Sequence, residues 1–165
     1  MAFVFSTTMK LYSFLLWMLL IPSLLFAQTG NDEAAVRTTI KLMFDGMRKS
    51  DSTQIKTAFA PGATLQTVMK SKEGAVSVRN EDISKFVASV AKYPAFTLDE
   101  RLSGMDIKID AELATAWTPY VFYRQDTKSH CGVNAFTLVK INGNWKIQGI
   151  IDTRRKENCP DLPKS

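Results

Sequence analysis

Ser129–Arg155, SHCGVNAFTLVKINGNWKIQGIIDTRR, is two runs rich in β-branched and aromatic residues on either side of Asn142-Gly143. An Asn-Gly pair in that setting is the strongest short-range signal for a β-hairpin, because a type I′ turn needs positive φ at both central positions. Counting outward from the turn predicts that Ile141 faces Asn144, Val139 faces Lys146 and Phe136 faces Gly149. One face then carries His130, Gly132, Asn134, Phe136 and Leu138 beside Trp145, Ile147, Ile151 and Thr153. The other carries Cys131, Val133, Ala135, Thr137, Val139 and Ile141 beside Lys146, Gln148, Ile150, Asp152 and Arg154. The first face has the larger apolar groups and is assigned to the core. Its far end turns polar at His130, Asn134 and Thr153, and an apolar wall that ends in a few polar groups is the makeup of a ligand cavity.

The preceding run, Leu113 to Tyr123, is apolar on both faces, as in a central strand covered on both sides. The link RQDTKS closes as a loop around Asp126-Thr127. An even-numbered loop puts Tyr123 opposite His130, Val121 opposite Gly132 and Trp117 opposite Phe136, so that Trp117, Tyr123, His130, Asn134 and Phe136 share one face. An odd loop replaces Trp117 and Tyr123 with Tyr120 and Phe122. Both registers are open at this point. In either, Gly132 leaves room for a ligand or an aromatic ring.

Upstream the period changes from two to that of a helix. Asn31 or Asp32 can cap a helix whose apolar positions are Val36, Ile40, Met43, Phe44 and Met47. Ser50 or Asp51 can cap a shorter one that buries Ile55, Ala58 and Phe59, and Pro61-Gly62 ends it with a turn. Ala63 to Lys70 alternates as a half-buried strand, and Ala75 to Arg79 reads as a short strand or arm. A third helix runs from Asp82 to about Lys92, with Ile83, Phe86, Val87 and Val90 as its stripe, and Tyr93-Pro94 stops it. Leu98 to Asp110 alternates again, with Met105, Ile107 and Ile109 on one face. Helices followed by long antiparallel strands define the α+β class. A strongly twisted sheet with helices across its concave face encloses a cone with an open mouth.

The chain has 165 residues, enough for one domain with a sizeable core. Its first 27 residues are set apart: Lys10, then the uncharged LYSFLLWMLLIPSLLF, then Ala27. That order predicts a secretory signal peptide over residues 1–27, a domain over 28–155 and a polar tail over 156–165. The protein is then periplasmic or secreted, with no stable membrane association after cleavage. Losing Lys10 takes the formal charge from +5 to +4. The basic residues are scattered and do not interleave with aromatics, so no nucleic-acid partner is expected. Two cysteines in an exported chain predict a Cys131–Cys159 disulfide, formed by a short return of the tail onto the hairpin. One histidine and two distant cysteines make no metal site, and no cofactor is indicated.

The order of elements, together with WTPYVFY, SHCGVNAF, GNWKI and IIDTRR, resembles the nuclear-transport-factor-2-like superfamily. Within it the chain is most similar to the exported bacterial subgroup labelled "putative lumazine-binding". The residues that carry this are His130-Cys131-Gly132 followed by Phe136, then Gly143 and Trp145-Lys146-Ile147, and the resemblance spans essentially the whole mature chain. It implies three N-terminal helices packed on a strongly curved, mainly antiparallel sheet. The superfamily holds ketosteroid isomerases, polyketide cyclases, dehydratases and non-catalytic binders, so the fold alone does not decide function. Its isomerases use a pocket carboxylate, but their paired tyrosine and aspartate find no residue-by-residue match here.

His130 and Asp152 are the candidate catalytic residues. A histidine titrates near neutrality and suits a general base or a hydrogen-bond donor to a ligand; its structural role would be a bond to a neighbouring backbone or hydroxyl group. Asp152 falls on the outer face in the register above, and a bulge at Gly149 would turn it inward. Asp45, between Met43-Phe44 and Met47, reads as a solvated or rim charge. Trp117, Tyr120, Tyr123, Asn134 and Phe136 are the expected pocket lining. The function read from these residues is an exported protein that holds a small, partly apolar molecule in the cone. The alternatives are a cofactor-free isomerase, dehydratase or hydrolase using His130, and a non-catalytic homodimeric interaction module.

Overall fold

The computed structural model describes the backbone of residues 21–163 and the side chains of residues 30–163. Residues 1–20 of the expected signal peptide lie outside the described residues, as do the side chains of the rest of it. The chain divides into two units, Met1–Asp32 and Glu33–Ser165, and the second carries the sheet, the core and the candidate site.

Three helices are described: α1 (Ile21–Lys49), α2 (Ser52–Ala58) and α3 (Ile83–Val90). Helix α1 does not begin at an Asn31 or Asp32 cap. It runs through both, because the turn before them already supplies the helical carbonyls that a cap would replace. The other two caps fall where the sequence puts them. Asp51 accepts from the amide of Gln54 at 2.9 Å, and Asp82 accepts from the amide of Lys85 at 2.8 Å. The stripe Val36, Ile40, Met43, Phe44 and Met47 of α1 is buried. It packs with Ile55 of α2, Val87 and Val90 of α3, and Phe136, Leu138, Trp145 and Ile147 of the sheet in one core. Each such side chain contributes roughly 1.5–3 kcal/mol by leaving water.

The sheet has seven strands: β1 (Phe59–Lys70), β2 (Val76–Glu81), β3 (Leu98–Leu102), β4 (Asp106–Asp110), β5 (Leu113–Arg124), β6 (Thr127–Ile141) and β7 (Asn144–Thr153). The order is β2-β1-β7-β6-β5-β3, with β4 also on β5. All pairs are antiparallel except β1 with β7, which is parallel. Helices on a mainly antiparallel sheet make this the α+β architecture expected.

Two features differ from the sequence reading in ways that position the site. The single strand expected over Leu98 to Asp110 is broken into β3 and β4. The break lies opposite Pro119 of β5, which has no N–H to give the ladder; its carbonyl accepts instead from the Ser103 amide at 2.9 Å. The second feature is a bulge in the hairpin. Ile141 faces Asn144, Val139 faces Lys146 and Leu138 faces Ile147, but Thr137 then faces Gly149, so Gln148 is an extra residue on β7. Beyond it Phe136 faces Ile150, not Gly149, and Asn134 faces Asp152. Every later side chain of β7 is thereby turned over, because the side-chain period of a strand is two. Ile150 and Asp152 are buried, whereas Ile151 and Thr153, expected in the core, are half-buried and exposed.

Candidate functional site

The connection between β5 and β6 is tighter than expected. Gln125 and Asp126 are the loop residues, both with positive φ (48° and 64°), and Arg124 pairs with Thr127. A second irregularity after Tyr123 and Lys128 brings Phe122 opposite His130. From there Tyr120 faces Gly132, Thr118 faces Asn134 and Ala116 faces Phe136, so the face with His130 carries Tyr120 and Phe122. This is the facing expected of an odd loop, but the loop has two residues and the extra Ser129 on β6 produces it.

Trp117 and Tyr123 therefore point the other way and do not line the cavity. Trp117 is 56% exposed on the outer face. Tyr123 is buried with Val121 and Cys131 beneath Cys159 and Leu162 of the tail. Its hydroxyl lies 3.2 Å from the Leu162 amide, and the Arg101 guanidinium stacks 3.8 Å over its ring. The Cys131–Cys159 disulfide is formed, and it holds the tail against this face.

The inner face holds the cleft. Met43, Phe44 and Met47 of α1, Phe86 of α3, Leu65 of β1 and Ile150 of β7 supply its apolar wall. Glu81, Glu100, Asn134, Asp152 and Arg154 supply its polar end. The cavity between them is small, about 70 Å³, and half open to solvent.

Two hydrogen-bonded groups meet there. Glu100, in the middle of β3 between Leu98 and Leu102, accepts from Asn134 Nδ2 at 2.8 Å. Burial pushes its carboxyl up to about 7; Asn134 opposes this, the Asp152 charge adds to it, and Arg154 pulls it back. Across the sheet, Asp152 Oδ2 accepts from Arg154 Nε at 2.7 Å and lies 3.2 Å from the Tyr120 hydroxyl. Tyr120 has one proton and two acceptors, Asp152 and the Thr153 carbonyl at 3.0 Å. Burial, with Glu100 and Asp152 close by, raises its pKa and keeps it a donor. Arg154 also reaches Thr67 Oγ1 at 3.2 Å. The other carboxylate oxygen of Asp152, Oδ1, is buried and has no hydrogen-bond partner among the described residues.

His130 stands on this face but not in this cleft. Tyr120 lies next to it, edge-on at 5.8 Å between ring centroids, and Phe122 lies 5.0 Å away. Ser129 Oγ is 3.1 Å from its Nδ1. Burial, then the Arg154 charge, lowers its pKa, so the ring is neutral at pH 7. The space that Gly132 leaves is filled by Tyr120 and by the Thr153 carbonyl, since a β-carbon there would sit 1.8 Å from that oxygen. Phe136 is core, packed edge-on against Phe44 at 6.0 Å. Asp45 is a rim charge 3.6 Å from Arg48.

The bulge thus joins Asp152 to Asn134 and Tyr120. Glu100 and Arg154 complete the group and were not among the expected site residues. Glu100 had a legible sign: it alternates with Leu98 and Leu102, so a carboxylate occupies a core position of its strand. A buried Asp152 beside a half-buried Glu100 whose carboxyl is raised to about 7 can bind a donor-bearing ligand or move a proton near neutral pH. Among the described residues no group of three or more His, Cys, Asp or Glu is placed to hold a metal ion.

Comparison with known proteins agrees with this architecture. Residues 31–149 match the model of a family described as "Putative lumazine-binding". Among solved structures, a nuclear-transport-factor-2-like protein with a cystatin-like fold from Novosphingobium aromaticivorans is similar at a TM-score of 0.67 and 12% identity, over 84% of this chain and 92% of that one. One of unknown function from Shewanella baltica gives 0.58 and 17%, over 77% and 96% of the two chains. A "putative dehydratase" of the same superfamily from Streptomyces avermitilis gives 0.58 and 10%, over 77% and 98%. At these identities the likeness is one of fold. No curated protein matches the chain.

Proposed function

The chain belongs to the "Putative lumazine-binding" family of the nuclear-transport-factor-2-like superfamily, and from that premise we propose that it is an exported binding protein for a small, partly apolar molecule. The ligand occupies the cleft between α1, α3 and the inner face of β1, β3, β6 and β7. One observation carries this reading: a wall of Met43, Phe44, Met47, Leu65, Phe86 and Ile150 that ends at Glu100, Asn134 and Asp152. The wall supplies affinity by excluding water, and the polar end orients what it holds. Export is supported by the apolar leader at residues 11–26 and by the disulfide, which persists in an oxidising compartment.

Native mass spectrometry of protein purified from its own host tests the proposal. The wild type should retain a small molecule, and Leu65→Trp, which fills the wall, should release it. Equal retention by both would place the ligand elsewhere.

A second reading, a cofactor-free dehydratase or isomerase, is favoured by the Glu100 carboxyl near neutrality beside Asp152. In it, Glu100 moves the proton and Asp152 orients the substrate, while His130, behind Tyr120, acts through Tyr120 rather than on the substrate. Turnover of the retained molecule that is lost in Glu100→Gln would establish it; release of the molecule unchanged would not.

A further inference from the structure

We propose that the cleft selects ligands that carry a nitrogen cation, and that the ligand's N–H group fills the open acceptor of Asp152 beside Glu100. This rests on the binding reading above and names the chemistry that it would recognise.

The first observation is the unused oxygen. Asp152 has a side chain only 7% exposed, and its Oδ1 finds no partner among the described residues while Oδ2 has Arg154 and Tyr120. A buried carboxylate oxygen left unpaired is costly, so a ligand donor placed there gains the full difference. The second observation is the charge around it. Three carboxylates, Glu81, Glu100 and Asp152, line the cleft with one cation, Arg154, and Arg79 lies 3.9 Å from Glu81 outside the lining. Arg154 already gives Nε to Asp152 and Nη2 to Thr67, so part of its donor capacity is spent inside the cleft, and an incoming anion would also meet three acceptors. A cation meets complementary charge in a half-enclosed site, where such contacts count for more than in water.

The ionisation of Glu100 adds a signature. The groups around it are Asp152 from β7 and Arg154 just beyond it, Tyr120 from β5, Glu81 from β2, Lys41, Asp45 and Arg48 from α1, and Arg101 beside it on β3. A bound cation favours the charged carboxylate, so binding expels a proton wherever Glu100 is protonated in the free protein. Affinity for a permanent cation then rises as pH increases through about 7, where Glu100 ionises.

Three probes with one ring and different heads separate the possibilities: phenethylamine, phenethyl alcohol and phenylacetate, titrated into the full chain and followed by amide chemical shifts. The amine should move the Asn134 side-chain amide and the backbone amides of Glu100 and Asp152, bind at least about tenfold tighter than the alcohol, and tighten between about pH 6 and about pH 8. Phenylacetate should leave these signals in place. Asp152→Asn and Glu100→Gln should each narrow the gap between amine and alcohol. Alcohol or phenylacetate bound in the cleft as tightly as the amine would overturn the selectivity and leave the binding site standing. Failure of all three to move any cleft signal would overturn both.

Discussion

Asn134 and Asp152 stand directly opposite each other on β6 and β7, and they do so only because Gln148 is one residue too many for its strand. Without that residue the hairpin would face Asp152 to solvent and bring Ile151 and Thr153 inward. With it, a carboxylate enters the apolar face next to an amide that already holds Glu100 at 2.8 Å. One irregularity in the backbone therefore assembles the polar end of the cleft.

Close approach at Gly132 should make that end intolerant of a side chain. A β-carbon would lie 1.8 Å from the Thr153 carbonyl oxygen and 3.0 Å from the Tyr120 ring. The first is backbone and cannot rotate away. Gly132→Ala is expected to cost about 2 kcal/mol or more, read as a lowered urea midpoint, and to disturb the Tyr120–Asp152 contact.

Stability should fall as pH rises. The folded protein holds the Glu100 proton up to about 7, whereas the ordinary value is 4.5. A raised carboxyl binds its proton more tightly when folded, so its contribution is complete below 4.5 and lost between 4.5 and about 7. Unfolding at about pH 5 and about pH 8 should show a decline of about 1–3 kcal/mol that Glu100→Gln abolishes. An identical decline in the variant would assign the effect to other groups.

How much of this was legible depended on where the chain obeys strand parity. The Asn142-Gly143 turn and the register as far as Leu138 with Ile147 follow from residue types, because a type I′ turn demands positive φ, observed at 50° and 78°. The bulge was visible only as an option. Ile147, Ile150 and Ile151 let either parity bury an isoleucine, so the pattern alone does not choose. Trp117 and Tyr123 face outward for a related reason: the two-residue loop at Gln125 and Asp126 would by itself keep them on the His130 face, and the extra Ser129 on β6, which no residue type announces, turns them away. Glu100 is hidden in the sequence because the parity of Met105, Ile107 and Ile109 does not extend back across the break between β3 and β4, which lies opposite Pro119.

Asn134 should hold Glu100 down. Its amide is the largest factor opposing burial at that carboxyl. Asn134→Leu keeps the size and removes the donor, so the Glu100 pKa is expected to rise above about 7. A carboxyl-detected NMR titration reads this directly; a lowered or unchanged value would mean that the bond does not form in solution.

The disulfide should matter for the outer face more than for the cleft. It spans 28 residues and anchors the tail whose Leu162 covers Tyr123. Cys131→Ala with Cys159→Ala is expected to lose roughly 3 kcal/mol and to expose the outer face, with the Asn134–Glu100 contact retained. Alkylation of the denatured, unreduced wild type should find no free thiol.

The central claim is that the ligand is held at Asp152 and Asn134 and not at His130, which stands behind Tyr120 at 5.8 Å. The most direct test is isothermal titration of the molecule recovered from the host into wild type, Asp152→Asn and His130→Ala. Asp152→Asn should weaken binding by about tenfold or more, about 1.4 kcal/mol, while His130→Ala should bind as the wild type does. The reverse pattern, loss with His130→Ala and none with Asp152→Asn, would contradict the account.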